Sequence, residues 1–178
     1  KNKRTYEHYR LLKKPVVIID AGALEREVTW KIAVDNITSE GYYGHTKNLN
    51  WDRPGKLGVS LENNTLNDCI LIAAQHNKSL QWEGMPSLED WTVELIHKIR
   101  KYSDRSIVVR HHPRCPFFIP PQRFKMLLMN KVIKNCVLET PQQIESTYDA
   151  FNIDYNYHCV VNHCSGPGTN AVIAGANV

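Results

Sequence analysis

The chain has 178 residues, 42% of them hydrophobic and 22% charged, a balance that excludes a disordered polyelectrolyte or a fibrous repeat and suits one domain or a little more. Apolar runs such as Val16-Val17-Ile18-Ile19 are far too short for a bilayer-spanning helix, and nothing at the start resembles a signal peptide. Net charge is +4, but residues 1–14 and 98–114 each carry +5, so a mildly acidic body holds two basic segments that suit phosphates. For the first segment the plainer reading is a solvated tail. The second lies beside His111 and His112, which turns the reading toward phosphate binding.

In chain order, residues 16–19 read as a buried strand that ends in Asp20 and turns at Ala21-Gly22. Residues 25–62 mix Trp30, Ile32, Tyr42, Tyr43 and Trp51 with scattered glycines and read as loop and short strand. A strand over 69–73 follows, with Gln75, His76, Asn77, Lys78 and Ser79 as a polar loop at its carboxyl end. Ser87 to Asp90 is a variant capping box, and Leu88, Trp91, Leu95, Ile99 and Tyr102 then recur at helical spacing. A strand over 106–109 ends in Arg110-His111-His112-Pro113-Arg114, so residues 69–114 read as a strand, helix, strand unit with parallel strands. Residues 136–139 are a further strand. Thr140-Pro141 is expected to open a helix with Ile144, Tyr148 and Phe151 on its apolar side. A strand over 157–161 feeds Asn162 to Gly168, and a helix over 169–174 is closed by Gly175.

This alternation predicts a doubly wound α/β sheet, Rossmann-like, with residues 1–62 as an N-terminal portion and 63–178 as the nucleotide-binding portion. Ligands of such sheets bind beyond the carboxyl ends of the strands, where the loops 75–79, 110–114 and 162–168 converge. Because the chain starts at Lys1 without Met and stops just after a helix and the first residue of a strand, it is expected to lack part of a longer protein. Five cysteines, Cys69, Cys115, Cys136, Cys159 and Cys164, make an odd count that suits reduced thiols. Zinc is disfavoured, since His158 and Cys159 are strand neighbours that point to opposite faces.

Ser165-Gly166-Pro167-Gly168 and Thr169 place backbone N–H groups at a helix N-terminus, where a diphosphate is welcome, although the same residues also suit a plain tight turn. Arg110, His111, His112 and Arg114 add forked and protonatable donors that stabilise a leaving diphosphate. A buried structural role remains the alternative for either histidine singly, since neighbours face opposite ways.

These motifs carry a resemblance. Val108-Val109-Arg110-His111-His112-Pro113, followed by His163-Cys164-Ser165-Gly166-Pro167-Gly168 and Ala171 to Gly175, looks like the paired His-Pro and Ser-containing motifs of GT-B glycosyltransferases. With Gln75 to Trp82 and Tyr102-Ser103-Asp104-Arg105, residues 15–178 resemble glycosyltransferases of tailed bacteriophages related to T4. The resemblance implies a GT-B-like fold and transfer of a hexose or pentose from a nucleotide sugar, expected to be a UDP-sugar, in the cytoplasm of an infected bacterium. The implied acceptor is 5-hydroxymethylcytosine in DNA, taking glucose or arabinose. It carries His112 and Ser165 over to the donor phosphates, with Gln75, His76 and Lys78 as further donor-site candidates. Arg110-His111 departs from the commonest pattern, which leaves two histidines for one contact.

An inverting transfer needs a carboxylate base. Asp20, at the end of its strand, is the candidate, with Glu25 and Glu27 as alternatives; a turn-initiating Asp bonded to its own backbone is the competing reading. No D-x-D motif is present, and no metal or other obligatory cofactor is expected. For a DNA acceptor, Lys1, Lys3, Arg4, Arg10, Lys13 and Lys14 supply a basic surface, with Tyr6 and Tyr9 as stacking partners. Two rivals stand beside this reading: a polysaccharide or capsule transferase, and a nucleotide-binding or assembly protein without chemistry.

Overall fold

A computed structural model of the chain describes residues 2–24, 28–38, 41–43, 52–62, 66–113, 115, 118–140, 142–143, 151–152 and 155–178. It divides into two compact units, Lys1–Ser60 and Leu61–Val178. Among the described residues, no helix is long and apolar enough to cross a membrane.

The first unit begins with a helix where a solvated tail is the plain expectation, α1 (Asn2–Leu11). The helix is tied down by Tyr6, which is buried and whose hydroxyl donates to the Asp35 carbonyl at 2.9 Å. Asp35 sits at a positive φ of 64°, and its carboxylate accepts the Val16 N–H at 2.8 Å. Two antiparallel strands follow, β1 (Val17–Ala21) and β2 (Trp30–Val34), then one short helical turn, α2 (Arg53–Lys56). The expected buried strand over 16–19 is therefore corrected. It is half of a two-stranded ribbon on which Val17 and Ile19 are exposed, and Asp20 lies within it, opposite Lys31, rather than at its end. A short apolar run alone does not distinguish a buried parallel strand from a ribbon, because both are rich in β-branched residues.

The second unit is built on a four-stranded parallel sheet of β3 (Ile70–Ala73), β4 (Ile107–Arg110), β5 (Cys136–Glu139) and β8 (Cys159–Asn162) in the order β5-β4-β3-β8. Alternation along the strands makes two faces. Ile70, Ile72, Ile107 and Val109 pack with Ile96 of α3 (Leu88–Arg100) and with Phe124 and Leu127 of α4 (Pro121–Met129). Leu71, Ala73 and Val160 face the other way and pack with Ala171 of α5 (Gly166–Ile173). Helices on both faces of a parallel sheet make this unit compatible with a Rossmann-like fold.

Ser87 caps α3, accepting the Asp90 N–H at 3.0 Å and donating to its carboxylate at 2.6 Å, so the Ser87 N-cap read from the sequence is formed, with Asp90 returning to the cap hydroxyl. Tyr102 lies beyond the helix and is exposed, so it leaves the expected apolar stripe. The expected helix after Thr140 is also corrected. Gln142–Gln143 form β6, paired antiparallel with Phe151–Asn152 of β7, while residues 144–150 lie outside the described residues. Proline suits the first position of a strand as well as the first turn of a helix, so Pro141 did not decide between them.

Candidate functional site

Because all four strands of the sheet are parallel, their carboxyl ends share one edge. The chain leaves β3 toward β4 on one side, while β8 is inserted on the other side of β3. The strand order thus reverses between β3 and β8, and it is outside such a reversal that open α/β sheets bind ligands.

The loop after β3 is ordered from within. His76 Nδ1 accepts the Lys78 N–H at 2.9 Å, which leaves Nε2 as the protonated nitrogen of the neutral ring. Ser79 caps a 3-10 turn over Leu80–Trp82, its hydroxyl accepting from the Gln81 N–H at 3.2 Å. Gln81 is buried and joins the two loops: its side-chain oxygen accepts from Gln75 Nε2 at 3.2 Å and from the Cys164 thiol at 2.9 Å, and its carbonyl lies 3.0 Å from His163 Nε2. The Trp82 ring stands edge-on to both Trp91 and His163, with centroids 5.3 Å away in each case.

The two adjacent histidines part company. His111 is buried edge-on against Phe118, at 4.8 Å between centroids, and burial pushes its pKa down. His112 is only half-buried and meets the His76 ring edge-on at 5.0 Å, so imidazoles from the ends of neighbouring strands stand together. Arg110 is the last residue of β4 rather than part of the loop. Its side chain, 6% exposed, donates to Glu139 at 3.0 Å and to the Tyr157 hydroxyl at 3.1 Å. As a donor-phosphate ligand it is therefore already engaged inside the protein. Lys78 is exposed near His76, and Arg114 lies outside the described residues.

At the end of β8, Asn162 Nδ2 donates to the Ser165 carbonyl at 3.1 Å and to its hydroxyl at 3.3 Å. Ser165 precedes Gly166 at the start of α5 without a side-chain cap bond. Its hydroxyl accepts from Asn162 and so keeps its own proton for a ligand. Pro167 has no N–H, and the Gly168 N–H contacts the Ser165 carbonyl at 3.2 Å. Gly168 is buried against the Asn162 amide, where an added Cβ would lie 2.5 Å from Oδ1. Thr169 is exposed one residue later.

In the first unit, Asp20 is exposed and its carboxylate accepts the Ala21 N–H at 2.9 Å, the geometry of the competing, backbone-bonded reading. Lys3, Arg4, Arg10, Lys13 and Lys14 are exposed, with Lys3 3.8 Å from Glu7. Tyr6 is corrected as a stacking partner, since its ring is in the core; Tyr9 is 47% exposed. Lys1, Glu25 and Glu27 lie outside the described residues. Gln81, Cys164 and Asn162 were quoted within motifs without a role. Asn162 had a visible signal, a polar residue closing an apolar strand before a Gly-containing turn, whereas Gln81 had none, because its partners across the sheet edge, His163 and Cys164, are distant in sequence.

No protein-family model matches this chain, and neither a curated protein nor a solved structure matches it.

Two predictions follow from this geometry. Replacing a helical glycine with alanine ordinarily gains about 1 kcal/mol of helix propensity, but Gly168→Ala drives a methyl into Asn162 and should destabilise the protein by about 1–3 kcal/mol in urea unfolding; a gain in stability would contradict the packing. His111 has a folded pKa below its unfolded value, so the unfolded chain binds more protons between the two. Its contribution to stability is full above the unfolded pKa, near 6.5, and is lost as pH falls toward the folded pKa. Urea midpoints measured from pH 7 down to pH 5 should therefore fall more steeply in the wild type than in His111→Gln, and parallel slopes would contradict a buried neutral imidazole.

Proposed function

We propose that the carboxyl edge of the parallel sheet binds the diphosphate of a nucleotide sugar, and that the protein transfers the sugar to an acceptor hydroxyl. One observation carries this reading: at the carboxyl edge of the sheet the loop after β3 meets the loop after β4 through His76 and His112, and meets the loop that carries Ser165 and leads into α5 through Gln81. In this reading the diphosphate lies against the Gly166 N–H, the Ser165 hydroxyl and the exposed Thr169. His112 and His76 supply the donors that stabilise charge on the leaving diphosphate as the glycosidic bond to the sugar breaks. Lys78 adds a cation at the rim. Positive charge from Lys78 and the start of α5, with the N–H donors of the imidazoles, replaces a divalent ion, so no metal is required.

The acceptor hydroxyl gives up its proton to a carboxylate base as its oxygen attacks the anomeric carbon. The acceptor proposed is 5-hydroxymethylcytosine in DNA, following the resemblance to the phage enzymes. The exposed cations of α1 and the turn after it support a phosphate-backbone contact. A second reading, nucleotide binding without transfer, is favoured by the inward commitment of Arg110 and His111.

The experiment is a panel of UDP, CMP and GDP sugars with hydroxymethylated and plain cytosine DNA and with polysaccharide acceptors. Transfer to hydroxymethylated DNA, persisting in a chelator, is expected. Transfer to polysaccharide alone would redirect the acceptor, and binding without turnover of any donor would favour the second reading. By calorimetry, His112→Ala and Ser165→Ala should each weaken donor binding about tenfold or more, the scale of a hydrogen bond to a charged group at 1.5–3 kcal/mol; unchanged affinity in both would contradict the site. Because Tyr6 is part of the core, the basic surface is best tested by reversing Lys3, Arg4, Arg10 and Lys14 to glutamate. DNA affinity and its salt dependence should fall while donor affinity holds.

A further inference from the structure

Helices α3 and α4 each carry the chain from the carboxyl end of one strand to the amino end of the next parallel strand, so they run in the same direction on one face of the sheet. A groove lies between them, lined by Val93, Leu127 and Val132 and continuing past His97 to Ile96 and Ile133. Its two ends are opposite in charge. Toward the helix N-termini Glu89, Asp90 and Glu94 stand with Arg123, whereas toward the C-termini Arg100, Lys131 and Lys134 line the groove with no acid among them. Glu89 meets Arg123 at 3.1 Å and Glu94 meets Lys98 at 2.7 Å, solvent-facing pairs that leave the first end acidic overall. Acids at the start of a helix and cations at its end offset the macrodipole, which accounts for the charges on α3. It does not account for Lys131. This residue ends α4 at a φ of 56°, its N–H donating to the Leu128 carbonyl at 3.0 Å and the Val132 N–H to Leu127 at 2.9 Å, a helix stop that ordinarily takes glycine. Nor does it account for Met126 and Met129 of α4, which are 52% and 71% exposed.

We infer that the face made by α3 and α4 binds a second copy of this chain about a two-fold axis through the middle of the groove, near His97. Charge complementarity identifies the occupant. His97 and Val132 line both halves of the groove, so the axis falls between the acidic and the basic end. Half a turn about it lays Glu89 and Glu94 of each copy toward Lys131 and Lys134 of the other, and the same contact forms twice. Met126 and Met129 lie beside the groove as unbranched apolar side chains that adapt to a facing surface. A helix the length of α3 spans about 20 Å, and two helices side by side present a face about 20 Å square. That is the small end of specific interfaces, so the dimer is reversible, with a dissociation constant on the order of micromolar, and depends on its charges. The contact does not rest on the nucleotide reading of the sheet edge.

The test is sedimentation velocity over a concentration series of the full chain and two charge-reversed variants. One carries Glu89→Lys with Glu94→Lys, leaving Asp90 to its contact with the Ser87 cap; the other carries Lys131→Glu with Lys134→Glu. The wild type should pass from monomer to dimer as concentration rises, and its dissociation constant should rise about tenfold or more between about 50 mM and about 500 mM salt. Each variant alone sets like charges against each other at both ends of the contact and should dimerise at least about tenfold more weakly. An equimolar mixture of the two restores opposite charges at both ends, so it should sediment as a heterodimer at concentrations where either variant is monomeric. Should a double variant fail to fold, Glu94→Lys and Lys134→Glu singly are read in the same way. A wild type that stays monomeric up to about 100 times a micromolar concentration overturns the inference, and the groove is then left to another occupant. A dimer indifferent to salt or to either reversal overturns it as well, as does a mixture of weakened variants that fails to pair.

Discussion

The buried amide of Gln81 is the junction on which the carboxyl edge of the sheet depends. Its side-chain oxygen takes one hydrogen bond from Gln75, beside β3, and one from Cys164, beyond β8, while its carbonyl faces His163. Parallel pairing brings β3 and β8 side by side, yet it does nothing to hold together the loops that leave them. Buried polar groups carry a heavy cost when unsatisfied, so a residue that serves three partners, two by its side chain and one by its carbonyl, fixes all of them. The 3-10 turn capped by Ser79 delivers Gln81 to this position, and Trp82 packs behind it against Trp91 and His163.

From this junction the polar residues divide by strand alternation. Arg110 and His111 are consecutive, and each is buried, one paired with Glu139 and Tyr157 and the other set against Phe118. His112, the next residue, is the one that meets His76. The Arg-His-His-Pro segment thus mixes residues that build the sheet edge with one that reaches the loop after β3. Asn162 makes the same division at β8: it ends the strand, and its amide sets the turn from which Ser165 and α5 begin.

Much of the second unit was legible because its signals are local. The apolar runs at β3, β4, β5 and β8 are each short, β-branched and bounded by polar turns, and the Ser87 capping box marks the start of α3 within one turn. What was missed depends on contacts between distant residues. The helix α1 is basic and without an apolar stripe, and it is tied down by the bond of Tyr6 to Asp35. Helix α4, which begins at Pro121, falls in a stretch for which the sequence reading gives no element, and its place is set by Phe124 and Leu127 in the core. Asp20 looked like a strand-terminal acid because the antiparallel partner that extends its strand to Ala21 lies nine or more residues away. At the site, the residue types and their convergence were readable, whereas the inward turn of Arg110 was not, since it depends on Glu139 and Tyr157.

Backbone amide hydrogen exchange with and without a nucleoside diphosphate tests the central claim most directly, because it locates binding without assuming a reaction. Saturating UDP should slow exchange at residues 74–79, at His112 and at residues 163–169, the loops joined at Gln81, with little change elsewhere in the second unit. Protection confined to the groove between α3 and α4, lined by Glu89, His97, Arg123 and Val132, or the absence of any protection at saturation, would contradict a nucleotide site at the carboxyl edge of the sheet.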